Sequence, residues 1–198
     1  PRECRQPMRE EDLLTGPLEP PNEAYAVAKI AGMQLCRAYA QQYGAPFISG
    51  IPSNAFGPGD DISPEDSHVM LALMRRMHEA KGRADRFIEI WGTGTPKRDF
   101  LFSKDLARAC LFVMDRYDGR DPINLGSGEG RTIAELADAI RDVVGFAGEI
   151  RYDTSKPDGM PVKVLDTSRL RALGWSPSTA FRKALEKTYE WFRRQPAP

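Results

Sequence analysis

The sequence predicts an α/β fold with mainly parallel strand pairing. Short apolar runs alternate with stretches of helical periodicity along the chain, and parallel neighbours need a helical crossover of that kind between them. The pattern also looks incomplete at its front, because a helix over 23–43 comes before any strand that it could cover. The first twenty-two residues carry Pro7, Gly16, Pro17, Pro20 and Pro21. Prolines supply no backbone N–H, so this stretch reads as an extended loop with no helix before Asn22. Asn22 is the expected N-cap of the long helix, Glu23 suits the positive end of its dipole, and Gly44 stops it.

Pro46-Phe-Ile-Ser-Gly-Ile51 is an apolar run between breakers, which predicts a buried parallel strand ended by Pro52. Residues 52–66 hold three prolines, two glycines and four acidic residues, a loop long enough to serve function as well as connection. Val69, Leu73, Met74 and Met77 share a face and predict a helix over 67–80. Phe87-Ile-Glu-Ile-Trp91 is a strand by its β-branched and aromatic content, and Gly92-Thr-Gly-Thr-Pro96 is the turn after it. Leu106, Ala109, Cys110, Val113, Met114 and Tyr117 mark the next helix and place Cys110 in the core. Ile123-Asn-Leu125 is a short strand. Thr132 with Glu135 forms a capping box that opens a helix with Ile133, Leu136, Ala137, Ile140, Val143 and Val144 inward. Residues 149–152 and 163–165 look extended, Asp166 caps a short helix ended by Gly174, and Phe181, Leu185, Tyr189 and Phe192 define the last one.

Twenty-eight Lys and Arg balance twenty-eight Asp and Glu. That balance removes the sequence-independent attraction on which nucleic-acid binders and polybasic membrane anchors depend, so neither partner is expected. No run approaches eighteen apolar residues and no basic, apolar leader opens the chain, so the expected compartment is the cytoplasm. Cys4, Cys36 and Cys110 are odd in number and lack metal-ligand spacing, which points away from a disulfide framework and from a zinc site. The chain begins with Pro1, not Met, and the expectation is that it is part of something longer.

Tyr25 and Lys29 stand i, i+4 on the long helix and so share a face. A phenol with an ordinary pKa near 10 trades protons poorly at neutral pH, but a neighbouring ammonium favours the phenolate and makes it a usable acid/base. Taken alone, such a pair is a coincidence of helix composition, so context has to decide. Tyr25-Ala-Val-Ala-Lys29-Ile-Ala-Gly32, preceded by Pro20-Pro-Asn-Glu23, resembles the active-site helix of the extended short-chain dehydrogenase/reductase family. Ile51-Pro-Ser-Asn-Ala-Phe-Gly-Pro-Gly-Asp60, Asp66-Ser-His-Val69, Leu73-Met-Arg-Arg76 and Trp91-Gly-Thr-Gly-Thr-Pro-Lys-Arg-Asp-Phe100 follow. Asn124-Leu-Gly-Ser-Gly128, Ser155-Lys-Pro-Asp-Gly159 and Leu173-Gly-Trp175 complete the set. Their order and spacing are similar to those of the GDP-L-fucose synthase branch, and Ser-His-Val sets that branch apart from related dehydratases and 4-epimerases.

The resemblance implies the C-terminal part of a Rossmann-type parallel sheet with a smaller α/β substrate domain. Residues 1–60 would be the remnant of a dinucleotide-binding domain with its active-site helix. Residues 61–198 would be mainly the nucleotide-sugar domain, with segments near 95–125 returning to the Rossmann part. It implies NADP (NADPH) as cofactor, a GDP-sugar as substrate, a homodimer through the 23–43 helix, and conversion of GDP-4-keto-6-deoxy-D-mannose to GDP-L-fucose. Position by position, Tyr25 protonates the C4 oxygen, Lys29 holds the cofactor ribose and tunes Tyr25, and His68 is the epimerisation acid, a role suited to an imidazole titrating near neutrality. Pro52, Asn54 and Ala55 join Tyr25, Lys29 and His68 around the cofactor. Asn54, Arg76, Trp91, Arg98 and Lys163 fall at substrate positions, where a guanidinium fork suits a diphosphate. As bland alternatives His68 is a surface histidine, Asn54 a turn residue, Arg76 and Arg98 solvated charges and Trp91 core. Val162 stands where the family usually has Arg, which leaves the polar contacts of that segment open.

Gly126-Ser-Gly-Glu-Gly130 is not the cofactor loop, because its third glycine comes too soon for the fingerprint. A Gly-x-x-Gly-x-x-Gly loop occurs nowhere in the chain, and the family's catalytic serine and cysteine fall before the position of Pro1. The expectation is therefore a C-terminal part that is inactive alone. Two other readings share these residues: a different nucleotide-sugar reductase or epimerase, and a noncatalytic remnant that binds a GDP-sugar.

Overall fold

The computed structural model describes residues 3–63 and 67–195. It is a mixed α/β fold in which every strand pair but one is parallel. Helix α1 spans Glu23–Tyr43, as its periodicity predicts, and Gly44 ends it in the left-handed conformation at φ 66°. Strand β1 (Gly50–Pro52) pairs with β5 (Ile123–Leu125). Strand β2 (Asn54–Phe56) pairs with β4 (Lys97–Phe102), which also binds β6 (Gly130–Thr132, antiparallel) and β8 (Val162–Lys163). Strand β3 (Phe87–Trp91) pairs with β7 (Glu149–Asp153). The remaining helices are α2 (Val69–Gly82), α3 (Ser103–Arg116), α4 (Ile133–Val144), α5 (Ser168–Ala172) and α6 (Phe181–Phe192).

The side chains of β4 alternate between two cores, as the twofold strand period requires. Phe100 and Phe102 join Phe56, Met74, Met77, Ile88, Ile90, Leu136, Ile140 and Leu185 in the larger one. Leu101 joins Ala109, Val113, Ile123, Leu125, Leu170 and Trp175 in the smaller. The Thr132–Glu135 capping box forms with both reciprocal bonds, at 3.0 and 2.7 Å.

Several expectations are corrected. The 52–66 segment is not all loop, because Asn54–Phe56 pairs in register with Phe100–Phe102 and tertiary pairing overrides the local breakers. Of the 46–51 run only Gly50 and Ile51 enter a strand, which includes Pro52 and is exposed or half-buried rather than buried. Strands β4 and β6 carry charged and glycine residues that mask their period. Helix α2 starts and ends two residues later than expected. Cys110 is exposed, not core, and so is Met114, because α3 buries only Asp105, Ala109 and Val113. Asn22 occupies the N-cap position without capping: its backbone, at φ −113° and ψ 8°, is not the extended conformation of a capping residue, and its amide nitrogen donates to Glu19 at 2.8 Å.

Residues 3–22 are not a plain loop. They contain single 3₁₀ turns at Glu10–Asp12 and Pro20–Asn22 and are pinned to the 164–169 segment. Met8 exchanges backbone bonds with Val164 and Asp166, both at 2.8 Å. The buried Glu10 carboxylate accepts the Asn124 N–H at 2.8 Å, while the Asn124 amide donates to the Met8 and Asp166 carbonyls.

Asp105 makes the other deep polar tie. Its carboxylate, 1% exposed, accepts from Ser178 Oγ at 2.9 Å, Thr179 N at 3.0 Å and Arg108 Nη1 at 3.2 Å, which holds the start of α3 to the segment entering α6. Burial alone raises this pKa, but the bonds from Ser178, Thr179 and Arg108 outweigh it and leave the group below its ordinary 3.8. The stabilisation is therefore fully present above that ordinary value and is lost as pH falls through the lower folded value. Asp105→Asn is expected to cost about 2 kcal/mol at neutral pH and to flatten the acid limb of a Tm-versus-pH curve below about pH 4.

Candidate functional site

A cleft of about 260 Å³ opens where α2, the end of β3, the 92–96 turn, β4 and residues 157–159 meet. Val69, Ala72, Leu73, Ile90, Pro96 and Ile133 give it an apolar wall, and Arg76, Trp91 and Arg98 supply its chemistry. Arg76 reaches it from the half-buried side of α2, where its guanidinium donates to the Glu89 carbonyl. Trp91 ends β3 and is 71% exposed, with Lys156 Nζ 5.8 Å from its ring centroid. Arg98 is half-buried on β4 and donates through Nη1 to Met160 O at 2.6 Å and Lys97 O at 2.8 Å. Burial draws its pKa down and the Glu19 carboxylate opposes that shift. A guanidinium starts so high that it stays cationic at neutral pH.

Asp99, the next residue, is fully buried and points the other way. Its carboxylate accepts from Ser127 N at 3.0 Å, Ser127 Oγ at 2.5 Å and Gly128 N at 3.2 Å. A side chain at Gly126 would collide with that carboxylate. The Asp99 carbonyl accepts the Asn54 amide at 2.8 Å, so Asn54 ties β2 to β4 and keeps its side-chain oxygen for other partners. Sequence reasoning missed Asp99; its signal was a lone acidic residue between a basic pair and an aromatic run.

A second cavity of about 530 Å³ lies on the other side of Asp158 and Gly159, which line both spaces. Glu3, Cys4, Gln6, Glu19 and Pro21 line one side of it and Met160, Pro161 and Val162 the other. Pro21 stands four residues before Tyr25. Tyr25 is 68% exposed, and Lys29 Nζ lies 5.4 Å from its ring centroid, so the two share a face as the spacing predicts.

The structure thus brings Arg76, Trp91 and Arg98 together on one cleft. Trp91 is exposed rather than core, and Arg98 sits inside a strand. His68 precedes Val69 at the cleft's rim, exposed and without a side-chain bond capping α2. Its motif partner Asp66 lies outside the described residues. Lys163 is exposed on β8 in register with Arg98. Tyr25, Lys29, Pro52, Asn54 and Ala55 do not line the cleft. Among the described residues no group of three or more His, Cys, Asp or Glu side chains is placed to hold a metal.

Residues 1–126 match the model of the NAD dependent epimerase/dehydratase family, and the chain belongs to that family. Within it, the chain is 50% identical over 192 residues to GDP-L-fucose synthase 1 of Arabidopsis thaliana, covering 97% of this chain and 59% of the relative. It is 52% identical to GDP-L-fucose synthase of Sinorhizobium fredii, covering 97% and 61%. Among solved structures it superposes with a TM-score of 0.90 on a GDP-L-fucose synthetase from Naegleria fowleri bound to NADP, at 35% identity, covering 98% of this chain and 62% of that one. The same score relates it to a GDP-6-OMe-4-keto-L-xylo-heptose reductase from C. jejuni, at 30% identity and 99% and 68% coverage. These relatives bear out the likeness read from the motifs. The chain spans about three fifths of the length of the curated relatives it matches.

Asp99→Asn replaces an acceptor by an N–H₂ facing the N–H groups of Ser127 and Gly128. The expected result is a loss of about 2 kcal/mol in urea denaturation, with faster amide exchange at Ser127 and Gly128.

Proposed function

We propose that this chain carries the nucleotide-sugar cleft and the tyrosine–lysine pair of an NADPH-dependent epimerase/reductase that converts GDP-4-keto-6-deoxy-D-mannose to GDP-L-fucose. The observation that carries this reading is the convergence of Arg76, Trp91 and Arg98, from three separate segments, on one cleft. Two guanidiniums beside an exposed indole and an apolar wall suit a nucleoside diphosphate, whose oxygens accept forked bonds and whose base or sugar stacks on a flat ring. Lys163, one strand from Arg98, adds positive charge on the same side.

The exposed phenol and ammonium of Tyr25 and Lys29 fit the nicotinamide-ribose end of a dinucleotide. A grip for its pyrophosphate is not supplied by this sequence, which holds no Gly-x-x-Gly-x-x-Gly loop. NADPH, when bound, supplies the hydride to C4. Tyr25 gives its proton to the C4 oxygen, and Lys29 holds the ribose beside it. Epimerisation at C3 and C5 needs a base, which this sequence does not supply, to take the proton from the carbon next to the ketone; His68 gives a proton back to that carbon from the other face. Pro52, Asn54 and Ala55 flank the cofactor.

In this reading residues 1–60 are the C-terminal remnant of the dinucleotide-binding domain. Residues 61–198 are mainly the substrate domain, with 95–125 returning to the first. Helix α1 buries only Ala40 and leaves Val27, Leu35, Tyr39 and Tyr43 exposed, which supports a homodimer through that helix. The three unpaired cysteines support a reducing cytoplasm.

Titration calorimetry with GDP tests the cleft: the chain binds GDP, and Arg98→Ala weakens binding by about ten- to a hundredfold. No uptake of GDP would overturn the assignment. The chain alone, mixed with NADPH and the 4-keto-6-deoxy sugar nucleotide, is expected to leave the cofactor unoxidised. In an enzyme that also holds the cofactor-binding part, Tyr25→Phe lowers NADPH oxidation by about 10²- to 10⁴-fold. Solvent deuterium continues to enter C3 and C5, and NMR of the product identifies the sugar.

A further inference from the structure

The segment from Asp153 to Pro161 crosses the 92–95 turn and forms the partition between the two cavities. Its ends are tied by backbone bonds: Gly92 N–H to Asp153 O at 2.9 Å, and Lys97 N–H to Pro161 O at 2.8 Å. Near its far end Arg98 donates to Met160 O. Within it, Asp153 Oδ1 accepts from the Ser155 N–H at 3.0 Å and from the Ser155 hydroxyl at 2.6 Å, and beyond that turn one carboxylate bonds across to the 92–95 turn. Asp158 Oδ1 accepts the Thr93 N–H at 2.9 Å and Oδ2 accepts the Thr93 hydroxyl at 2.7 Å. With its own proton committed there, Thr93 Oγ1 accepts from the Thr95 hydroxyl at 2.7 Å and from the Thr95 N–H at 3.2 Å.

The local sequence is shaped around this contact. Gly92 has φ +83°, and a side chain there would run into the Asp158 carboxylate. A Cβ on Gly159 would stand 3.2 Å from Arg98 Nη2, so the segment lies directly against the guanidinium. The two Thr93 donors hold the Asp158 carboxyl below the usual carboxylate range, which keeps both oxygens as acceptors.

We propose that Asp158 is a positioning residue of the cleft: by clasping Thr93 it holds residues 154–161 as a fixed wall against Arg98, and so sets how long a nucleoside diphosphate stays bound. Asp158 acts through the wall and through Arg98 rather than by meeting the ligand, whose phosphates its charge would repel. The inference rests on the cleft being a nucleoside-diphosphate site.

The test uses the 198-residue chain, GDP as probe, stopped-flow release kinetics and amide exchange. Asp158→Ala is expected to weaken GDP binding about fivefold, because release quickens by more than association rises on loss of the repelling charge, with Tm unchanged. Exchange is expected to rise at the Thr93 amide and across 154–161. Thr93→Val, which keeps the amide but loses the hydroxyl, gives part of the effect, and Thr93→Ser restores wild-type release. Wild-type release from Asp158→Ala, or faster release with no change in exchange across 154–161, would overturn the proposal. If the wild-type chain takes up no GDP, the nucleotide reading itself has failed. The clasp is then still decided by exchange, since unaltered protection in Asp158→Ala shows that the carboxylate does not hold the wall.

Discussion

Strand β4 has to satisfy two cores and two polar sites at once. Phe100 and Phe102 must enter one core and Leu101 the other, Asp99 must reach the Ser127–Gly128 turn, and Arg98 must face the cleft. A slip of one residue would exchange every one of these faces. Parallel partners β2 and β8 and antiparallel β6 all read their register from this strand. The buried Asp99 carboxylate opposes slippage, because displacing it would leave that group, two N–H donors and the Ser127 hydroxyl without these partners. The position of Arg98 is thus a consequence of how the residues after it pack on both faces of its own strand.

The same logic explains why the cleft is polar on one side only. Its apolar wall is the outer fringe of the larger core, where the buried Leu73 and Ile90 back the cleft between α2 and β3. Its guanidiniums lie on backbone carbonyls, of Glu89 for Arg76 and of Met160 and Lys97 for Arg98. Carbonyls orient a cation without neutralising it, and only at Arg98 does a carboxylate, that of Glu19, offset part of the positive potential that a diphosphate needs.

Much of the fold was legible because periodicity and caps are local. Helix α1, the α4 capping box and strands β3 and β5 follow from side-chain spacing alone. The misreadings share a cause. Strand β2 sits among prolines and glycines, and its pairing comes from Phe100–Phe102, forty-six residues further on in the chain. Cys110 and Met114 fit a helical stripe by sequence, but the neighbours of α3 cover a narrower face than the stripe is wide. Of the five residues that the motifs group at substrate positions, Arg76, Trp91 and Arg98 line one cleft, whereas Asn54 and Lys163 do not. The Asp158–Thr93 and Asp99–Ser127 contacts were not, since nothing in a short acidic-glycine segment states which distant N–H it will meet.

The chain by itself determined the α/β class, the bounds of α1, the α4 capping box and the Tyr25–Lys29 pairing, because each depends on residues within one or two turns of each other. Only the tertiary structure decided which side chains share a cleft, which face of β4 meets which core, and how residues 3–22 are pinned beside Asn124 and Asp166. Those outcomes rest on contacts between segments far apart in sequence, and they are selected by how well whole layers bury their apolar faces and pair their buried polar groups.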